Sequence, residues 1–330
     1  MQSEKNIPLS AHELRDAVRH GQKVDLSRLD RILRPEDNRG VIEVQAGTSW
    51  KAIANLLRPG DRESEAASLR ATMRTIGESI ARNTAGPCGR PAVTHIESLT
   101  LVTPEGELRR IDRVAHSSLF ALVVGGQGLF GTLYSATMRV NSLLRSADET
   151  IKAPPAVSGD VDGRTLQLLI PPESLEAFVA QANARCEDWR VEVQGVDVRQ
   201  TLPEEDTFLR WARRPYTEVG IRFSALQTVG GAVRDTQLRR ELIDAAIAAG
   251  GSFPIARTPD ATREQVAACY PELPAFLAEK RRMDPAEKLI NSWYLHHRSL
   301  FDRKSCEVRW VSAGDSGKDQ LDVVRREPGR

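Results

Sequence analysis

The sequence predicts an α+β protein in two parts, a mixed first half followed by a second half in which helices cover one face of an antiparallel sheet. Three observations lead to this expectation. Short alternating apolar runs and helix-period segments occur in both halves. Two glycine clusters interrupt the first half, at 75–89 and 124–131. A proline-containing stretch, K-A-P-P-A-V-S-G-D, separates the halves near residue 150.

Length and composition agree with two domains and a packed core, since the chain has 330 residues and 40% of them are hydrophobic. A net charge of +1 argues against a nucleic-acid partner held by phosphate charge. The four cysteines lie far apart, without a C-x-x-C, which is typical of a reduced, cytoplasmic protein. No apolar run approaches the ~20 residues of a membrane span, and the opening residues lack the apolar core of a signal peptide.

The first half begins with a predicted helix at 10–21, which Ser10 caps, Glu13 supports as a capping-box residue, and Gly21 ends. The other elements expected in this half are strands at 24–33 and 41–47 with a turn at 35–40, a helix at 48–57, a hairpin at 95–111 and one helical turn at 117–123.

The second half contains two similar strand–helix–strand units. The expected strands are 165–170, 190–198, 218–226 and 252–256, the expected helices 173–185 and 235–249, and a further helical region 262–282. The charged residues 311–330 predict a frayed tail.

The first glycine cluster, T-I-G-E-S-I-A-R-N-T-A-G-P-C-G, is the most informative segment. Glycine has no Cβ, so a backbone rich in glycine and small residues can approach a flat, phosphate-bearing ligand closely. The second cluster, V-G-G-Q-G-L-F-G, runs into another strand-like segment. The alternative interpretation is that these glycines only permit tight turns.

These segments resemble the PCMH-type FAD-binding domain of the vanillyl-alcohol oxidase / p-cresol methylhydroxylase flavoprotein superfamily. The resemblance also rests on V-D-L-S-R-L-D-R-I-L, V-I-E-V-Q-A-G-T-S-W, H-I-E-S-L-T-L-V-T-P-E-G-E-L and the continuation G-L-F-G-T-L. The second half is similar to the cap domain of the sugar-lactone and alditol oxidase branch, which includes decaprenylphosphoryl-ribose oxidase. That similarity rests on A-A-G-G-S-F-P-I-A-R, Y-P-E-L-P-A-F and a later D-P.

The resemblance implies an FAD-binding domain at 1–150 and a substrate or cap domain at 151–310 whose last segment returns to the FAD domain. It also implies non-covalent FAD, with backbone N–H groups and a hydroxyl directed at the diphosphate. The residues expected at this cofactor are Thr75, Ile76, Gly77, Ser79, Ile80, Asn83, Gly86, Gly131, Thr132 and Leu133.

The chain departs from the family pattern at two points. The glycine-rich phosphate loop, often R-G-x-G-x-S, is missing near residues 21–24, and this excludes covalent attachment of a flavin at that loop. Glu78 stands where many relatives have a glycine, which brings a carboxylate close to the expected diphosphate.

The implied activity is an FAD-dependent oxidation of a CH–OH group of a sugar, sugar lactone or polyol, with oxygen or another acceptor taking the electrons. Arg257 aligns with an active-site lysine or arginine of relatives, and a fixed cation there would stabilise the reduced flavin or bind a substrate hydroxyl. The alternative is a surface arginine. His297, in Y-L-H-H-R, is a candidate base, with an interface or surface role as its alternative.

No H-E-x-x-H, G-x-S-x-G or G-x-x-x-x-G-K-[ST] occurs, so neither a metal site nor a hydrolase or P-loop activity is expected. Two alternatives to an enzyme remain open from the sequence. The chain is then either a non-catalytic relative that lost flavin together with its phosphate loop, or a truncated form of an enzyme.

Overall fold

The structure, a computed structural model, describes residues 6–35, 39–57, 75–84, 89–145, 165–224 and 229–302. It confirms the α+β class. The elements of the first half are α1 Ala11–Arg19, β1 Ile32–Arg34, β2 Val41–Gln45, α2 Trp50–Leu57, α3 Ile76–Arg82, β3 Ile96–Val102, β4 Leu108–Asp112, α4 Ser117–Val123 and β5 Thr132–Arg139.

Helix α1 starts as the sequence predicts. The Ser10 Oγ accepts the backbone N–H of Glu13 at 3.2 Å, and the Glu13 carboxylate accepts the N–H of Leu9 at 2.9 Å. These two bonds satisfy backbone donors at the start of the helix. Just after the helix, Gly21 adopts a φ of +65°, a conformation that glycine enters without steric cost.

The strands of the first half form one antiparallel sheet in the order β1-β2-β5-β3-β4. The predicted hairpin is β3 and β4, and the turn between them contains Gly106 at a φ of +83°. The strand predicted at 24–33 is wrong over most of its length. Asp25 accepts the N–H of Ser27 at 2.9 Å and starts a short 3₁₀ turn there, so only Ile32–Arg34 pair in the sheet.

The second half contains β6 Thr165–Ile170, α5 Leu175–Asp188, β7 Val193–Thr201, β8 Tyr216–Phe223, α6 Val229–Ala248, α7 Arg263–Cys269, α8 Leu273–Met283 and α9 Ser292–Asp302. Its sheet is antiparallel in the order β6-β8-β7, with α5 packed on α6 and α6 on β6. This agrees with the predicted sheet and its two covering helices.

The predicted fourth strand at 252–256 is wrong. Ser252 makes an isolated bridge to Leu169, and the chain then turns, with the Arg257 N–H donating to Pro254 O at 3.0 Å. Pro254 has no N–H for a ladder, which prevents continued pairing. The helical region predicted at 262–282 is two helices, because Pro271 cannot continue the first one.

Helices α8 and α9 pack against the first half. The rings of Phe276 and Phe130 lie 4.9 Å apart, and Asn291 Nδ2 donates to Gln127 O at 2.8 Å. Lys280 and Asp284 form a buried ion pair within this packing. The predicted domain boundary near 150 and the predicted tail 311–330 lie outside the described residues.

Candidate functional site

Helix α3 and its N-terminus hold most of the residues predicted to bind FAD. Thr75 is the N-cap residue, and Ile76 and Ile80 are buried in the main core. The first four backbone N–H groups of α3 all donate to acceptors of the chain itself. Ile76 donates to Thr48 O, Gly77 to Ala46 O, Glu78 to Thr75 Oγ1 and Ser79 to Thr75 O. These donors are therefore not available to a phosphate without rearrangement.

Ser79 and Gly77 are likewise engaged by neighbouring backbone and side chains. The Ser79 hydroxyl donates to Thr75 O at 3.0 Å and accepts from Trp50 Nε1 at 2.8 Å, and Ser79 is 2% exposed. A Cβ at Gly77 would lie 2.9 Å from Ala46 O. The absence of a side chain at 77 is thus explained by packing on the loop after β2.

Asn83 ends α3 with a φ of +44°. Its Oδ1 accepts the Val93 N–H at 3.0 Å, its Nδ2 donates to Glu204 at 3.3 Å, and its backbone oxygen accepts from Trp211 Nε1 at 2.8 Å. Since Asn83 is 1% exposed, these contacts enclose it. The contacts to Glu204 and Trp211 join the first half to residues 201–214 of the second half, a segment that we call the docking segment.

Glu204 organises the docking segment. Its carboxylate accepts the N–H groups of Asp206 and Thr207 at 2.9 and 3.0 Å and the Thr207 hydroxyl. Burial raises the Glu204 pKa by more than these hydrogen bonds lower it. Asp206 also pairs with Arg113 at 2.9 Å. The segment is therefore held on the first half by a partly buried polar network.

Gly131, Thr132 and Leu133, predicted to approach the cofactor from the second cluster, lie at the start of β5. Thr132 and Leu133 pair with β3. A Cβ at Gly131 would meet the Leu101 side chain at 2.5 Å. Gly86, also predicted at the cofactor, lies outside the described residues. The assignment of all these residues to FAD stays a prediction.

A pocket lies between the second glycine cluster of the first half and the three-stranded sheet of the second half. Gly125 and Gln127 line it from the first half, Arg257 and Trp211 from the second. The cavity measures about 20 Å³. This is room for one water molecule, against the roughly 300–1,000 Å³ of small-molecule sites.

A buried polar network forms the cap side of this pocket. Arg257 Nη1 donates to Gln167 Oε1 at 2.9 Å, and Arg199 makes two bonds to Glu218 at 2.9 and 2.7 Å. Burial alone would raise the pKa of Glu218. The charge and hydrogen bonds of Arg199, followed by the charge of Arg257, lower this pKa by more than burial raises it, so the net shift is downward. Glu218 is therefore ionised at neutral pH.

Gln167, Arg199 and Glu218 were not predicted from the sequence. Arg199 pairs directly with Glu218, and Gln167 pairs with Gly220, two residues from Glu218, so the three side chains share one face of the sheet. Polar residues on a strand face that is covered by protein indicate a binding or catalytic site. The periodicity of the strands does not predict that the first half covers this face.

His297 does not line the pocket. It is 2% exposed on α9, its Nδ1–H donates to Trp293 O at 2.8 Å, and its ring stacks on Trp293 at 4.2 Å. Burial lowers its pKa to about 4, so it is neutral at pH 7 with a lone pair on Nε2. Trp293 Nε1 donates to Ile255 O, and Ile255 lines the pocket. Trp293 and Ile255 thus lie between His297 and the pocket that Arg257 lines.

Comparison with protein families locates a known domain in the first half. Residues 10–112 match the model of the FAD binding domain family. That family is a flavin-binding domain, and its cofactor is FAD; the match indicates an FAD-linked oxidoreductase in general terms. No curated protein matches the sequence.

The contacts described above do not fit the diphosphate of FAD at the predicted place. The N–H donors at the start of α3 and the Ser79 hydroxyl are taken by the chain, and the pocket beyond them has no room for a ring system. Among the described residues no His, Cys, Asp and Glu cluster suits a metal ion. Within the same ranges no helix combines the length and apolar character needed to cross a membrane.

Proposed function

We propose that the protein is an FAD-dependent oxidoreductase that oxidises a CH–OH group of a sugar, sugar lactone or polyol in the pocket between its halves. The observation that supports this proposal is the meeting of the second glycine cluster with Arg257 at that pocket, in a chain whose residues 10–112 match an FAD-binding domain. A site between two domains is a common place for a small-molecule ligand.

The cap side of the pocket suits a hydroxylated substrate. The Arg257 guanidinium, oriented by Gln167, would donate to a substrate hydroxyl and stabilise negative charge that develops on its oxygen. The Glu218 carboxylate is held by Arg199, which leaves it a weaker proton acceptor than a free carboxylate. Access requires the pocket to widen, since its present volume admits one water.

We propose that the protein acts in the cytoplasm, with oxygen or another small acceptor taking the electrons, and that Arg257 and His297 are its catalytic residues. Ile255 and Trp293 lie between His297 and the pocket. A catalytic role of His297 therefore requires either a movement of α9 or an indirect action through these two residues. Arg257 lines the pocket directly and is the stronger candidate.

The test is the visible absorption spectrum of the purified protein, before and after incubation with FAD. Flavin absorption that survives gel filtration, and that an aldose, an aldonolactone or an alditol bleaches without oxygen, is the expected result. Arg257→Gln should keep the flavin and slow the bleaching at least about tenfold, because one charge-assisted contact is lost. Arg213→Gln, an exposed arginine paired with Glu272, is the matched control.

A second candidate is a non-catalytic family member with weak or no flavin binding. The observation that favours it is the complete engagement of the donors at the start of α3, together with the absence of the phosphate loop. A protein that stays colourless after incubation with FAD, while remaining folded by circular dichroism, would establish this candidate and exclude the first.

A further inference from the structure

A groove at one end of the five-stranded sheet is a second candidate binding site. It encloses about 510 Å³, within the roughly 300–1,000 Å³ typical of small-molecule sites. Arg139, at the end of β5, lines it, whereas Gly131 of the candidate FAD site precedes the start of the same strand. Eight strand residues at about 3.4 Å each separate the two positions, so the groove is distinct from that site.

The groove carries an excess of positive charge. The arginines that line it are Arg39, Arg110, Arg139 and Arg145. Its two acidic residues are already engaged. Glu97 accepts from Arg139 at 2.7 Å, and Asp112 accepts the N–H groups of Val114 and Ala115 at 2.7 and 2.6 Å, which lowers the Asp112 pKa.

Hydroxyl groups lie between these charges. Ser98 pairs directly with Asp112 on one neighbouring strand and with Thr137 on the other, so the three residues share one face of the sheet. Ser98 is 3% exposed, and its Oγ has no hydrogen-bond partner among the described residues. A buried polar atom of this kind is typical of a position that water or a ligand completes.

Arg110 and Arg145 are the cations best placed for a ligand. Arg110 makes a long, weak contact of 3.5 Å to the Thr137 hydroxyl, and its charge also helps to lower the pKa of the nearby Asp112. Arg145 forms no ion pair with the part of the chain that the structure describes. A phosphate would give each of them charge-assisted hydrogen bonds that the described residues do not supply.

We propose that this groove binds the phosphate monoester of a small hydrophilic molecule. Guanidinium groups match phosphate oxygens in a two-bond arrangement. A phosphate monoester carries about −1.5 to −2 charges at pH 7, which suits a groove lined by more arginines than acidic residues. The volume exceeds the needs of free phosphate and leaves room for a hydroxylated carbon chain.

The experiment is a calorimetric titration of the full chain with ribose 5-phosphate, with ribose and inorganic phosphate as comparison ligands. We expect saturable binding of ribose 5-phosphate, weaker binding of inorganic phosphate and none of ribose. Arg110→Gln should weaken binding about tenfold or more, the value of one charge-assisted hydrogen bond. Arg109→Gln should leave it unchanged, because Arg109 is the next residue on β4, points to the other face and pairs with Glu107.

Three results would overturn the proposal: no saturable binding, equal weakening by both arginine variants, or equal affinity for inorganic phosphate and ribose 5-phosphate. The second would mean that only the overall charge attracts the anion. Ser98→Ala provides a check that does not depend on charge. It should leave the thermal midpoint unchanged without ligand and reduce the increase that ribose 5-phosphate gives, whereas a full increase in this variant counts against the site.

Discussion

Replacing Asn83 by alanine tests whether this residue joins the two halves or binds FAD. Alanine removes the acceptor for the Val93 N–H, a buried group, at a cost of about 1–3 kcal/mol. It also removes the donor to Glu204 and must hold a φ of +44°, which costs an ordinary residue about 1 kcal/mol. We therefore expect Asn83→Ala to lower the free energy of unfolding by about 3 kcal/mol in protein freed of any flavin.

The assay is urea unfolding followed by tryptophan fluorescence. Trp211 is a suitable reporter because its indole donates to Asn83 O and is buried at this contact. Asn83→Gly loses the same side-chain bonds without the cost of positive φ, so it should be about 1 kcal/mol less destabilised than the alanine variant. Asn183→Ala, at an exposed position of α5, should change stability by less than about 0.5 kcal/mol.

Two results would refute this reasoning. If Asn83→Ala unfolds at the same urea concentration as Asn183→Ala, the side-chain contacts of Asn83 to Val93 and Glu204 do not stabilise the fold. If the loss of stability appears only in the presence of FAD, Asn83 acts through the cofactor, as the family resemblance implies, and the docking role is wrong.

The remaining predictions concern backbone, charge and pH. Gly89→Ala should fold poorly, measured as the soluble yield, because Gly89 has a φ of +75° and a Cβ there would overlap Gln200 O; normal yield would contradict this. Glu218→Gln should cost about 3 kcal/mol in urea unfolding, since it removes the carboxylate that makes two hydrogen bonds with the buried Arg199, and an unchanged midpoint would exclude such a role. His297 has a folded pKa of about 4, below its value of 6.5 in the unfolded chain, so the stability it contributes is complete above pH 6.5 and is lost as the pH falls towards 4, by about 3 kcal/mol. His297→Gln should flatten this part of the stability curve, and an unchanged curve would show that the ring is not buried as neutral imidazole.

Local sequence rules predicted the elements whose causes are local. The start of α1 at Ser10 and the hairpin turn at Gly106 depend on residues within four positions of each other, and both were predicted correctly. The strand at 252–256 depended on a partner strand, and Pro254 lacked the donor that such pairing needs. The periodicity of a segment does not predict which distant strand the segment pairs with.

The candidate site shows the same division. The resemblance predicted Arg257, but its partner Gln167 and the Arg199–Glu218 pair come from strands far from it in sequence. Their approach depends on the strand order β6-β8-β7, which no local pattern specifies. The docking segment was missed for the same reason, since its contacts to Asn83 span more than 100 residues.

The glycines of the first cluster show why a motif match and a binding site are separate findings. Gly77 lies so close to Ala46 O that any side chain there would press on the backbone, and Gly89 meets Gln200 O in the same way. Loss of flavin in a Gly77→Asp variant would therefore follow from misfolding as readily as from a lost cofactor contact. A variant that tests FAD binding must therefore leave this packing intact, whereas Arg257→Gln, at the pocket between the halves, tests the oxidation step. The glycine spacing of this cluster is compatible with the close backbone packing seen at Gly77 and Gly89. Whether a diphosphate can bind there depends on the hydrogen bonds that the chain already makes at the start of α3.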